Sequence, residues 1–407
     1  MDHEHSGRLL DEDRTSQDIE LADLDGQSDR LIREEQPHPD APIPAVPKTK
    51  ASYIAIAIAL IVTVIGFTVN TEATAYFEDV LGWKKPFCTM YITHSSLCIP
   101  WFCHLLWSRY KDRQMPYKAW VRDYNNQIRQ TVASVDAYAT SGSYLVIKKK
   151  GHTGGPLDFL ASTMAIVTVV LTISGLSWFA SLALTTPSDL TAIYNCSTFF
   201  AAAFSVPLLK ERLGWLAIAA VAISIIGTFT IAYGDSTSEH EANAIGGSRL
   251  IGNLIASVGA VAFGLYEVLF KKWACSSKPM APAASLPLTF AASALTGIYT
   301  FSTLWVGLIV LHITGVETFE VPSAYVCLWI FIGVMAGCLS INLLMVLVVW
   351  TDPVFGSMAN VLSVFFVALA DWFVFGLKPS IATYVGGAMI FVAFVLLTKH
   401  TLGESKH

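Results

Sequence analysis

The chain has 407 residues, 54% of them hydrophobic and only 14% charged, with a formal net charge of −5. So little polar surface, with the apolar residues gathered in long runs, excludes a soluble globular protein and predicts an all-α polytopic membrane protein. The seven cysteines form no CxxC pair and no Cys/His ligand spacing, so no disulfide framework, metal site or cofactor is expected.

Residues 1–50 hold 6 Lys/Arg against 13 Asp/Glu and end in a run with Pro37, Pro39, Pro42, Pro44 and Pro47. Such a composition cannot bury enough apolar area to offset ordering entropy, which predicts a disordered acidic tail. It is neither Arg-rich like a mitochondrial presequence nor apolar at its start like a signal peptide, so the first span is expected to be an internal anchor. Hydropathy then places ten spans, at about 52–71, 86–107, 157–184, 188–209, 214–233, 249–270, 283–311, 324–350, 354–376 and 380–398.

Charge orients them. With both termini cytoplasmic, 22 of the 26 Lys/Arg fall on the inner side, and only Lys84, Lys85, Arg249 and Lys378 fall outside; this is the positive-inside asymmetry. The longest loop, 108–156, is basic and carries Trp120, Tyr124, Ile128, Val132 and Val135 at near-helical spacing. It reads either as an interfacial helix drawn to anionic lipid or as a solvated linker that fixes topology. Lys148–Lys150 mark the inside, since no folded basic domain for nucleic acid accompanies them.

One stretch is written twice, from Pro187 to Gly214 and again from Pro353 to Ser380. As a helix, the first copy sets Thr191, Tyr194, Asn195, Thr198 and Ser205 on one face. The second sets Ser357, Asn360 and Asp371 at the equivalents of Thr191, Tyr194 and Ser205. A polar stripe on an apolar helix must face protein or water. Because each repeat would hold an odd number of helices, the second enters the membrane the other way up. The expectation is ten transmembrane helices as two inverted five-helix repeats, 51–233 (with the loop 108–156) and 249–398, followed by a cytoplasmic tail at 399–407. Each repeat's first helix has a small-residue stripe, Ala51, Ala55 and Ala59 in one and Ala256, Ala260 and Gly264 in the other, expected at close helix contacts.

Lys85, Pro86 and Phe87, followed by Thr89, Tyr91, Thr93, Ser95 and Ser96, resemble the second-helix signature of the F-type branch of the solute carrier 35 family. Leu182 to Thr186, and the fourth span closing in Leu209, Lys210, Glu211 and Arg212, resemble an EamA-type domain of the drug/metabolite transporter superfamily, as Tyr266 to Lys272 resembles the close of its sixth helix. The resemblance covers about residues 52–398. It implies alternating access, a central cavity lined by the first, third and fourth helices of each half, and kinship with fungal vacuolar or other endomembrane proteins. The chain departs from the pattern at Ser357, Met358, Ala359, Asn360 and Val361, where nucleotide-sugar carriers have Gly-Ala-Leu-Asn-Lys. It thereby lacks the lysine that would meet phosphate.

Candidate solute-binding residues are Trp178, Thr191, Tyr194, Asn195, Thr198, Ser357 and Asn360, as hydrogen-bonding groups and aromatic faces. Candidate coupling residues are Asp371, a costly carboxylate within an apolar span, and the titratable His94. Each also has a structural reading: Asp371 paired with Lys378, and His94 hydrogen-bonded to a neighbouring helix. Glu267, four residues before Lys271, reads as half of a helical ion pair. The expected function is a secondary transporter for a small organic solute, with a proton or other ion as partner and a vacuolar or Golgi membrane as its place. The alternative is a transporter-shaped receptor or trafficking partner acting through its tail and loop. No Walker A, HExxH or GxSxG pattern occurs, so no enzyme is expected.

Overall fold

A helix that leaves isoleucines on its outer face is built for lipid. The first helix, α1 (Lys50–Ala75), presents Ile54, Ile58, Ile61 and Ile65 outward, each 57–61% exposed, and buries Ile56, Ala59, Thr63 and Val64 on the other side. A water-facing stripe would be polar at this spacing; this one suits acyl chains. Thr63, Thr68 and Thr71 spend their hydroxyls within the helix, as where Thr63 Oγ1 donates to the Ala59 carbonyl at 2.7 Å. The computed structural model describes residues 50–141, 155–182, 184, 190, 193–210, 214–233, 246–276, 281–375 and 381–404, all within one unit, Ala45–His407.

Those residues are helical, with no strand among them. After α1 and a π turn at Tyr76–Val80 come α2 (Pro86–Ser95), a 3₁₀ turn and α3 (Ile99–Lys111), then α4 (Tyr117–Ala133) and α5 (Asp136–Ser141). The first half continues through α6 (Pro156–Leu182), α7 (Ser197–Leu209) and α8 (Trp215–Tyr233). The second comprises α9 (Gly246–Ala274), α10 (Pro282–Ile313), α11 (Ala324–Trp350), α12 (Pro353–Phe375) and α13 (Ile381–Glu404). Among the described residues six helices, α1, α6, α9, α10, α11 and α13, are long and apolar enough to cross a membrane; Ile193–Leu209, Trp215–Ile231 and Pro353–Val367 are shorter apolar stretches. The chain is a helical, polytopic membrane protein. At 32 residues, α10 measures roughly 48 Å at 1.5 Å per residue, well beyond a hydrocarbon core of about 30 Å.

The loop expected at 108–156 is largely a helix, and its apolar side meets protein. Trp120, Tyr124, Ile128, Val132 and Val135 are all buried, where α4 crosses α6 and α10. Trp101 donates its indole N–H to the Tyr124 hydroxyl at 3.2 Å, Trp120 does the same to Ser108 Oγ at 3.2 Å, and Ser134 and Ser276 share a hydroxyl hydrogen bond of 2.5 Å. A free linker would leave these rings in water. The segment is a strap across the helix ends, and residues 142–154 lie outside the described set.

Elsewhere an acid substitutes for a missing cap. Pro86 opens α2, and no side chain of the N-cap residue Lys85 closes it. Instead the Glu317 carboxylate, beyond α10, accepts from the Phe87 N–H at 2.9 Å and the Cys88 N–H at 2.8 Å. Those are donors that a helix start leaves unpaired, and a negative charge complements its dipole.

Helix pairing sets the frame for the site. α1 lies against α11 and α12, α9 against α6 and α7, α8 against α13, and α10 against α2. The expected small-residue stripe on α9 sits at such a contact: Ala256 and Ala260 are fully buried. A Cβ on Gly264 would lie 2.6 Å from the Ala201 nitrogen and 2.7 Å from the Ser197 oxygen. Backbone presses on backbone there, and only glycine fits.

Candidate functional site

The repeated stretch does not form one unbroken helix. Ile193, Tyr194 and Asn195 are helical, Cys196 is a turn, and α7 begins at Ser197. At this point a three-residue span enters the ladder: Cys196 N–H bonds to the Ile193 carbonyl at 3.1 Å, and the Cys196 carbonyl accepts from both the Phe199 N–H at 2.9 Å and the Phe200 N–H at 3.2 Å. A 3₁₀ turn of this kind inside a helix often marks a hinge.

The turn delivers the candidate side chains inward. Tyr194, Asn195 and Thr198 are all buried, so the polar face read from the sequence does point away from lipid. Asn195 is met by α12: Asn360 donates its Nδ2–H to Asn195 Oδ1 at 3.3 Å. Tyr194 hydrogen-bonds through its hydroxyl to Ser174 of α6 and packs its ring 5.6 Å from Phe263 of α9. The hydroxyls of Ser197, Thr198 and Ser205 are buried and, among the described residues, have no hydrogen-bond partner.

Other candidates are more fully used. Ser357 spends its hydroxyl within α12, donating to the Pro353 carbonyl at 2.9 Å, which leaves only its lone pairs to a solute. Trp178 is half-buried, edge-on to Phe179 at 4.7 Å, and packs on the main apolar core. Thr191 lies outside the described residues, as do Lys378 and the side chain of Asp371. His94 is buried on α2 with no hydrogen-bond partner for Nδ1, and its ring lies over Gly175 of α6, where a Cβ would come within 2.5 Å of the imidazole.

The main departure from expectation is Glu267. Its i,i+4 partner Lys271 donates instead to the Thr351 carbonyl at 2.6 Å, just before α12. Glu267 itself is completely buried on α9, and neither carboxylate oxygen has a hydrogen-bond partner. A long lysine in the last turn of a helix can turn to the helix end, whereas a glutamate one turn deeper stays on the packed face. Sequence spacing gave no sign of this. Among the described residues no group of three or more metal-ligating side chains occurs.

No family model matches the chain. It is 25% identical over 371 residues to the thiamine-repressible mitochondrial transport protein THI74 of Saccharomyces cerevisiae, a match that covers 86% of this chain and 92% of that protein. Over 156 residues it is 26% identical to solute carrier family 35 member F5 of Bos taurus, across 37% of this chain and 28% of the relative. It is also 29% identical over 152 residues to the uncharacterized vacuolar membrane protein YML018C of Saccharomyces cerevisiae, covering 35% and 37% of the two chains. A crystal structure of 14% sequence identity superposes with a TM-score of 0.50 over 86% of this chain and 98% of that one, so the two share a fold.

Proposed function

We propose that the chain is a membrane transporter of the drug/metabolite transporter type, with EamA-like repeats, that moves a small organic solute by alternating access. Its relatives supply the class: one is named a transport protein along nearly its whole length and another a solute carrier. Helix pairing supports ten spans in two inverted repeats. Exchanging the halves, first helix for sixth, third for eighth and fourth for ninth, turns the contacts of α1 with α11 and α12 into those of α9 with α6 and α7. Likewise α8 with α13, and α7 with α12, exchange into themselves. With such a pseudo-twofold, the solute site is expected near the midplane, between the repeats.

The observation that carries this reading is the Asn360–Asn195 hydrogen bond. It joins the two copies of the repeated stretch through one buried and one half-buried amide that a solute could take over, beside the unpartnered Thr198 hydroxyl. Trp178, Thr191, Tyr194 and Ser357 complete the proposed solute wall, and His94 and Asp371 are its candidate coupling groups. A vacuolar-membrane relative favours an internal membrane, with both termini in the cytoplasm by the distribution of Lys and Arg.

The test is thermal stability of the purified protein against a panel of vitamins, amines, amino acids, nucleosides and nucleotide sugars, followed by uptake of each hit into proteoliposomes. A solute that binds only the folded state adds about 2.7 kcal/mol at 100 times its dissociation constant. A hit that is transported, and is lost in Asn195→Ala or Asn360→Ala, is the expected result. Well-folded protein that binds and moves nothing in the panel overturns the reading.

A further inference from the structure

We infer that Glu267 is a proton-binding site and that its proton is the ion that couples transport, a proposal that rests on the transporter reading above. Three observations converge on it. The carboxyl is fully enclosed and both of its oxygens lack a hydrogen-bond partner. An unpaired ionised carboxylate in that position carries a penalty well beyond that of a neutral polar group, whereas the neutral acid leaves only an O–H and a carbonyl unsatisfied, at about 1–3 kcal/mol each. The closed arrangement therefore holds the acid form.

Space selects the occupant. One turn before Glu267, Gly264 brings α9 so near α7 that even a methyl group would strike the backbone of Ser197 and Ala201. An alkali cation needs several oxygen ligands and room for them, and an organic cation needs more; a proton needs neither. The charged and titratable groups around it do not replace that proton. Lys271, on the same helix, is drawn to the Thr351 carbonyl. Asp352, at the start of α12, accepts from the Phe355 N–H at 2.7 Å and as a carboxyl offers no positive charge to Glu267. Tyr266 on α9 and Tyr194 before α7 are phenols, and Tyr194 is bonded to Ser174.

The neighbourhood also provides the switch. α9 and α7 run parallel, since Gly259 meets the Tyr194 ring while Gly264 meets Ser197 and Ala201, and the tightened turn at Cys196 lies in that contact. Moving α7 away from α9 at this turn would admit water to the carboxyl and let it ionise. A proton held in one arrangement and released in the other is bound with different affinity by the two, which is what couples its gradient to the conformational change.

The full-length protein in proteoliposomes tests this with two readouts. First, infrared spectra recorded in water and deuterium oxide across a pH series are expected to contain the carbonyl stretch of a buried, weakly hydrogen-bonded carboxylic acid. Glu267→Gln should remove that band and Glu267→Asp should keep it, shifted. The second readout is the ratio of uptake with and without an inward proton gradient, measured for each radiolabelled panel solute that the wild type carries. It should fall to one in Glu267→Gln and recover in part in Glu267→Asp, a rescue that a packing role would not produce. A band unchanged in Glu267→Gln overturns the proton site, and an unchanged gradient ratio overturns the coupling. A wild type that moves no panel solute removes the transporter reading and the coupling with it, while the infrared readout still decides whether Glu267 holds the proton.

Discussion

Asn360 and Asn195, 165 residues apart in sequence, share a part-buried hydrogen bond of 3.3 Å between α12 and the turn before α7. Removing either side chain leaves its partner without this bond. Asn195→Ala and Asn360→Ala are each expected to lower stability by about 0.6 kcal/mol, with roughly 1.7 kcal/mol as the upper end for such bonds. The double variant should lose no more than the larger single loss. A thermal denaturation cycle on purified protein measures this, and strictly additive losses would mean that the bond does not couple the two helices.

Glu317, which caps the start of α2, offers a second test. Its carboxylate serves the Phe87 and Cys88 N–H groups together, so Glu317→Ala leaves both without their acceptor. A loss of about 1–2 kcal/mol is expected, with Glu317→Gln between it and the wild type because the amide oxygen still accepts but carries no charge. Melting temperatures of the three proteins rank them. An alanine variant as stable as the wild type would show that water replaces the cap without cost.

Gly264 should tolerate no side chain. The added Cβ meets two backbone atoms rather than the end of a flexible chain, so relief requires α7 and α9 to move apart. Gly264→Val is expected to cost about 1–3 kcal/mol, as overpacking does, and to raise hydrogen exchange in both helices. Exchange that rises in neither would contradict the close contact.

The strap yields a fourth prediction. Trp120 is buried to 8% exposure and bonds to Ser108; replacing a core tryptophan by alanine costs about 3–5 kcal/mol. Here the loss should be local: Trp120→Ala is expected to open the segment between α3 and α6 to limited proteolysis, with cleavage within α4. Cleavage no faster than in the wild type would mean that α4 is held by other contacts.

The apolar spacing of α4 was legible in the sequence, but its destination was not. Lipid, protein interior and air look alike to a periodicity argument, and the groups that receive the strap, Trp101, Ser108 and Ser276, come from other segments. The polar face of the repeated stretch was legible for the same reason, and Tyr194, Asn195 and Thr198 are buried as that face requires. The turn at Cys196 was not, because no proline or glycine announces it. Glu267 is the clearest miss. Its spacing from Lys271 satisfied the local rule for an ion pair, yet tertiary contacts gave Lys271 a carbonyl at the neighbouring helix end and left the acid facing packed helices. Sequence spacing specifies what two side chains could reach, not which offer is better.

The pairing of α8 with α13 includes a point where main chain touches main chain. A Cβ on Gly227 would lie 2.8 Å from the Gly386 oxygen, and one on Gly386 would collide with the Gly227 oxygen. With main chain against main chain there, and the Ile231 and Ile390 side chains packed beside the glycines, these helices have little freedom to slide or roll against each other, which suits them to act as a post during alternating access. A fluorophore attached on the lipid side of that post would serve as the stationary reference against which displacement of α7 or α9 is read.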